Sequence, residues 1–233
     1  MNRLDRSAAK RIFSDWKIYC GTLMYFGIVN TGYATSFFTP TILTELGWKS
    51  LKAQYMSVPI YITASIICLA TAWCTDRARH RYSFCILGIL VATTGYGILL
   101  APQPRVPTGA RYAAVYLVVS GCYMCQPITI AWINNCMGGH YKRSVSSALM
   151  IGFGNLGGIV ASNIFIASEA PGFKTGYGTS LGLMWGCGLA CTALLLGLRR
   201  ENRARERGDR DWRLEGPDAD NLGDDHPHFR FTY

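Results

Sequence analysis

The segment IGFGNLGG, Ile151 to Gly158, sets Gly152, Gly154 and Gly157 in the Gly-x-Gly-x-x-Gly spacing of a dinucleotide-binding turn. That chemistry needs a strand before the glycines, a helix N-terminus after them for the pyrophosphate, and an acid about 20 positions on for the ribose. Here the glycines lie inside an uncharged run, and the next acid, Glu169, comes 12 positions after Gly157. The same spacing serves close helix packing: Gly154 and Gly158 form a small-xxx-small pair that Ala161 extends, so another backbone can approach along this face. Gly178, Gly182 and Gly186 repeat the i+4 pattern further on. Cys122-Tyr-Met-Cys125 is a CxxC with no second pair. It reads as small residues between helices, so no metal and no cofactor is expected. Nor does any nucleophile–base constellation or carboxylate pair suggest an enzyme.

The elements that carry these residues follow from charge. Of 233 residues, 50% are hydrophobic and 16% charged, and the charges are clustered. Six windows hold no Asp, Glu, Lys, Arg or His: residues 18–44, 53–75, 82–104, 112–139, 144–168 and 175–198. About 20 apolar residues cross a ~30 Å hydrocarbon core, so each window is long enough for a span. The expected fold is an all-α membrane protein of six transmembrane helices. The first window is too long for a signal-peptide core and ends in no cleavage pattern. All nine cysteines fall inside the windows, which argues against a disulfide framework.

Lys and Arg residues set the orientation. The arm 1–17, the loop around Arg77 to Arg81, the loop with Lys142 and Arg143, and the stretch from Arg199 to Arg213 together hold 17 of them. The opposite side has five: Lys49, Lys52, Arg105, Arg111 and Lys174. The basic side, with both termini, is expected in the cytosol, and the membrane to be the plasma membrane. The net charge of +9 is thereby a matter of topology, and no nucleic-acid partner is read. Residues 199–233 alternate Arg with acids; a short helix to about Gly208 and then disorder are expected.

Amides inside the spans carry the remaining chemistry: Asn30, Gln126, Asn134, Asn135, Asn155 and Asn163. Each is costly in lipid unless hydrogen-bonded to another helix or facing a wet cavity, and the residues alone leave both readings open. Asn30, Tyr33 and Phe37 share one face of the first span, able to hydrogen-bond and to stack on a planar organic solute.

Three segments resemble the major facilitator superfamily: FTPTILTELGWKSLKAQYMSVPIY (Phe38 to Tyr61), TDRARHR (Thr75 to Arg81) and, above all, WINNCMGGHYKRSVSSALMIGFGNLGGIVASNIF (Trp132 to Phe165). The likeness is to the fungal allantoate-permease-like, anion:cation symporter branch, whose members carry vitamin-like and carboxylated solutes. It covers residues ~15–200 and only the C-terminal six-helix half of such a transporter. The resemblance implies alternating access, with a missing N-terminal half or a second copy as partner. A six-span module that regulates a partner without transporting is the alternative. It also implies that spans one and four line the solute cavity, which raises Asn30, Tyr33, Phe37, Gln126 and Trp132, with Asn155 beside the glycine stripe. The second loop is similar to the family's Asp-Arg-x-Gly-Arg-Arg gating motif through Asp76, Arg77 and Arg81. Arg79 stands in place of the glycine and His80 in place of an arginine. Lys142 and Arg143 belong to the next loop on that side. On this resemblance the stripe of the fifth span packs against the other half.

Overall fold

The computed structural model describes residues 6–45, 47–101, 106–170, 172–215 and 221–233. Eight α-helices follow one another: α1 (Arg6–Phe13), α2 (Trp16–Glu45), α3 (Ser50–Ala78), α4 (Arg81–Leu100), α5 (Thr108–Cys136), α6 (His140–Gly154), α7 (Gly157–Ile164) and α8 (Lys174–Glu206). Helices α2, α3, α4, α5 and α8 each form one crossing of the bundle, and α6 with α7 forms the fifth of the six. Five crossings are long and apolar enough to span a membrane. The exception, α2, has the length but carries Thr22, Asn30, Thr31, Thr35, Ser36, Thr39 and Thr41, which lower its mean hydropathy. Two of those hydroxyls turn back on their own helix, Thr22 to the Ile18 carbonyl (2.9 Å) and Thr35 to the Thr31 carbonyl (2.9 Å). That is how a hydroxyl is satisfied without water.

The outside of the bundle is apolar. On α3, Leu51, Tyr55, Val58, Ile62, Ile66, Leu69 and Trp73 recur at three- and four-residue steps, and every one is exposed. A stripe of this kind facing outward along a whole helix is a lipid-facing surface.

Inside, close approach replaces oily bulk. A methyl group placed on Gly88 would lie 2.9 Å from the Gly121 carbonyl oxygen, and one on Gly95 would lie 2.7 Å from that of Ala114. One on Gly121 would lie 2.7 Å from the Ala92 nitrogen, so α4 and α5 touch backbone to backbone. The stripe of the fifth crossing is also closely packed, against side chains as well as backbone, and its partner is inside the chain. Gly154 abuts the Tyr25 ring, a methyl on Gly157 would sit 2.8 Å from the Phe26 carbonyl, and one on Gly158 would sit 2.9 Å from Tyr33. Ala161 is fully buried. The expectation that Gly154, Gly158 and Ala161 face another half is corrected: Gly154 and Gly158 seat the fifth crossing on α2, and Ala161 is buried within this chain. Gly178, Gly182 and Gly186, by contrast, have nothing within 4 Å among the described residues.

Two further differences stand out. The fifth window is not one helix: at Asn155 and Leu156 the ladder tightens, Leu156 N–H bonding the Phe153 carbonyl (3.1 Å) and Gly158 N–H that of Asn155 (2.9 Å). The disorder expected beyond about Gly208 also differs from the fold of the described residues there. Helix α8 continues to Glu206, and residues 221–233 fold back across the basic end of the bundle. Phe231 is buried between Lys17 and Arg205, whose cationic groups stand 4.9 and 4.5 Å from its ring centre.

These contacts separate two kinds of glycine. Gly121→Leu should lower the thermal midpoint of the detergent-solubilised protein by an amount equivalent to about 2 kcal/mol, the usual cost of overpacking. Gly182→Leu should leave it unchanged within error.

Candidate functional site

Four residues of one α2 face, Tyr25, Val29, Tyr33 and Ser36, recur at helical spacing, with Gly32 between them. Together with Tyr123 and Gln126 of α5 and with Asn155 they line an open cavity of about 200 Å³. Tyr33 donates from its hydroxyl to Asn155 Oδ1 (3.1 Å), while Asn155 Nδ2 donates to the Ile151 carbonyl (2.7 Å). That second bond lies at the break of the fifth crossing, so the break turns the amide oxygen toward α2. Phe37 stacks on Tyr33 with ring centres 5.7 Å apart and planes 21° from parallel. The lining offers phenols, two amides, a hydroxyl and an aromatic face, and no charged side chain. It can hold a planar solute by stacking and hydrogen bonds.

Tyr33, Gln126 and Asn155 thus come together, with Phe37 against Tyr33. Asn30 and Trp132 do not join them. Asn30 is fully buried between helices, its Nδ2 donating to Ser180 Oγ on α8 (3.3 Å). Trp132 is fully buried at the basic end, where its indole N–H donates to the Thr232 carbonyl (3.1 Å). Sequence reasoning passed over Tyr25, Ser36 and Tyr123. The i, i+4, i+8, i+11 recurrence of Tyr25, Val29, Tyr33 and Ser36 is the signal that marks the first two.

The basic end holds a second, charged site. Lys142 Nζ lies 2.6 Å from Asp15 Oδ2 and 2.8 Å from Asp224 Oδ2. Lys17 Nζ lies 2.9 and 3.0 Å from the same two oxygens. The four side chains are buried, and they join the start of α2, the start of α6 and the returning C-terminal segment. Burial pushes the Asp15 carboxyl up, but the ammonium groups of Lys17 and Lys142 outweigh it and hold it below the ordinary 3.8. Asp224 Oδ1 also accepts from the Gly138 N–H (3.2 Å). Arg143 caps the end of α5, donating to the carbonyls of Asn134 (3.1 Å) and Met137 (3.3 Å).

In the second loop Arg81 is the hub. It pairs at 3.7 Å with the exposed Asp76, donates to Thr232 Oγ1 (3.3 Å), and its backbone N–H bonds the Tyr233 carbonyl (2.8 Å). Arg77 ends α3 in the last turn, where a cation faces the negative helix terminus. Arg79 closes that helix in the left-handed region, φ 56° and ψ 21°, its N–H bonding the Thr75 carbonyl at 2.9 Å. This is a conformation that suits glycine. The loop keeps the turn and carries its strain on an arginine.

Apolar outer stripes, backbone-close inner contacts and six crossings define an integral multi-pass membrane protein. The chain belongs to the Major Facilitator Superfamily, whose family profile matches residues 3–162. It is 33% identical to an uncharacterised transporter of Schizosaccharomyces pombe, over 93% of this chain and 44% of that one. With an MFS-type transporter of Penicillium expansum it shares 32% identity over 86% of this chain and 40% of the relative. With the high-affinity nicotinic acid transporter of Saccharomyces cerevisiae it shares 27% over 100% of this chain and 45% of the relative. The chain therefore spans less than half the length of these curated relatives. No solved structure matches it.

Three outcomes follow. Breaking a buried ion pair by removing one partner costs about 3 kcal/mol or more. Asp224→Asn should accordingly expose residues 221–233 to hydrogen exchange and protease at pH 7. In the unaltered protein the Asp15 contribution is complete above pH 3.8 and fades as pH falls through the lowered value, so protection of the tail should hold to about pH 4 and drop below it. Separately, Arg79→Gly should stabilise the protein by about 1 kcal/mol, read as a raised thermal midpoint, because it removes the left-handed strain.

Proposed function

We propose that this chain acts as the C-terminal half of a secondary transporter that moves a small organic solute by alternating access, the solute being a planar, vitamin-like carboxylate. The observation that carries the reading is the Tyr33–Asn155 bridge over an uncharged, phenol- and amide-lined cavity open on one side. Stacking on Tyr33 and Phe37 selects a flat ring. Gln126 and Tyr123 supply donors to a carboxylate without the desolvation cost of a buried cation. The name of the Saccharomyces cerevisiae relative, a transporter of a flat aromatic acid, agrees with that chemistry.

Solute sites in this architecture lie between two six-helix halves near the membrane midplane, and rocking of one half on the other exposes them alternately. The partner is accordingly a complementary six-span half or a second copy of this chain. The basic end faces the cytosol, where the quartet of Asp15, Lys17, Lys142 and Asp224 ties the arm and the tail to the helix ends. The plasma membrane is the site of action.

Coexpression tests the reading. With the first six spans of the nicotinic acid transporter, in cells lacking the native protein, the chain should restore saturable nicotinate uptake. The purified chain alone in proteoliposomes should show none. Gln126→Ala should raise KM at least severalfold at unchanged surface expression, and Trp132→Phe should leave KM unaltered. An assembled pair whose uptake ignores Gln126→Ala would favour the regulatory-module reading instead.

A further inference from the structure

Four cysteines from three crossings meet in the core of the bundle. Cys187 and Cys191 stand one turn apart on α8, Cys85 faces them from α4, and Cys125 of α5 lies beside Cys85. All four are fully buried and none is in a disulfide. Cys85 Sγ is 3.3 Å from Cys191 Sγ, Cys187 Sγ is 4.0 Å from Cys191 Sγ, and the three sulfurs of Cys85, Cys187 and Cys191 all lie within 4.8 Å of one another. Cys125 Sγ donates to the Cys85 carbonyl at 3.3 Å.

The dimensions of this triangle are informative. A cation bonded to three sulfurs at about 2.3 Å in a plane sets the sulfurs about 4.0 Å apart, the scale of the edges seen here. The i,i+4 pair on α8 supplies two ligands from one rigid face, and α4 supplies the third across the helix interface. Sulfur ligands select soft cations over calcium or magnesium.

We propose that Cys85, Cys187 and Cys191 form a binding site for one soft, thiophilic divalent cation that ties α4 to α8. No described charged side chain is among the ligand set, so the bound state should itself be neutral to avoid a buried charge. The balanced step is that two thiols release their protons to solvent, two metal–sulfur bonds form, and the third sulfur donates a lone pair as a thiol. A divalent cation with two thiolates carries no net charge. Cys85 lies four residues from Arg81, about 6 Å of helix rise, so the cluster sits one turn beneath the basic end. It is independent of the solute cavity, which it shares no residue with.

The test uses the full 233-residue chain in lipid nanodiscs, reduced so that all nine thiols are free before titration. Cadmium alone is the probe. The expected result is one cadmium per chain, a new sulfur-to-cadmium charge-transfer absorption, and release of two protons per metal. Cys85→Ser and Cys191→Ser, close in size to the native side chains, should each weaken binding at least tenfold, the scale on which even outer partners of a metal site act. Cys68→Ser, on the lipid-facing α3, should bind as the unaltered chain does. Cadmium NMR of the unaltered protein, which needs no substitution, should report a sulfur-only environment. Absence of stoichiometric cadmium, a cadmium resonance of oxygen ligation, or binding indifferent to Cys85→Ser and Cys191→Ser would each overturn the site.

Discussion

In hydrocarbon, burying apolar side chains gains nothing, because lipid tails already solvate them. Helices therefore associate where backbones can touch and where polar groups can satisfy one another. The structure depends on that constraint throughout. Gly88, Gly95 and Gly121 bring α4 and α5 into backbone contact; on α2 the fifth crossing meets backbone at Gly157 and the rings of Tyr25 and Tyr33 at Gly154 and Gly158. On α2 the hydroxyls of Thr22 and Thr35 bond carbonyls of their own helix, while the long apolar side chains of α3 point away from the bundle. A soluble helical protein would place its side chains the other way round.

At the basic end the physics changes from contact to charge. Two aspartates and two lysines share a buried volume, each lysine reaching one oxygen of both acids. Such a set is neutral as a unit and costly to break singly. It converts three sequence-distant segments, the arm, the start of α6 and the tail, into one closed joint. Arg81 adds the start of α4 to it through Thr232 and Tyr233. The cavity lined by Tyr33, Gln126 and Asn155 lies away from these charges, on uncharged faces of α2 and α5. One structure thus separates the buried charges that fasten its segments from an uncharged, phenol- and amide-lined cavity.

Much of this was legible in the sequence, and the rest was hidden for identifiable reasons. Charge-free windows located the crossings, since length and the absence of ionised groups are local properties. Tyr33, Phe37, Gln126 and Asn155 were visible as polar or aromatic groups where lipid disfavours them. Asn30 and Trp132 carry the same signal, yet a neighbouring Ser180 in one case and the Thr232 carbonyl in the other absorb it. The tail reads as disordered because Arg and acid alternate through it. Its order comes from Asp224 and Phe231 finding cations at least 82 and 26 positions away in the chain, which no window reveals. The cysteines, scattered over three crossings, give no local spacing beyond the i,i+4 of Cys187 and Cys191.

The break at Asn155 and Leu156 has a mechanical consequence. Below it, α6 is anchored by Lys142 in the charged joint and by Gly154 against Tyr25. Above it, α7 is a separate eight-residue rod, about 12 Å long, that touches α2 through Gly157 and Gly158. The crossing is thereby a jointed arm with a fixed lower limb, and its elbow holds the amide that Tyr33 grips. Any swing of the upper limb pulls on the cavity wall through Asn155, while the lower limb stays fastened at the basic end.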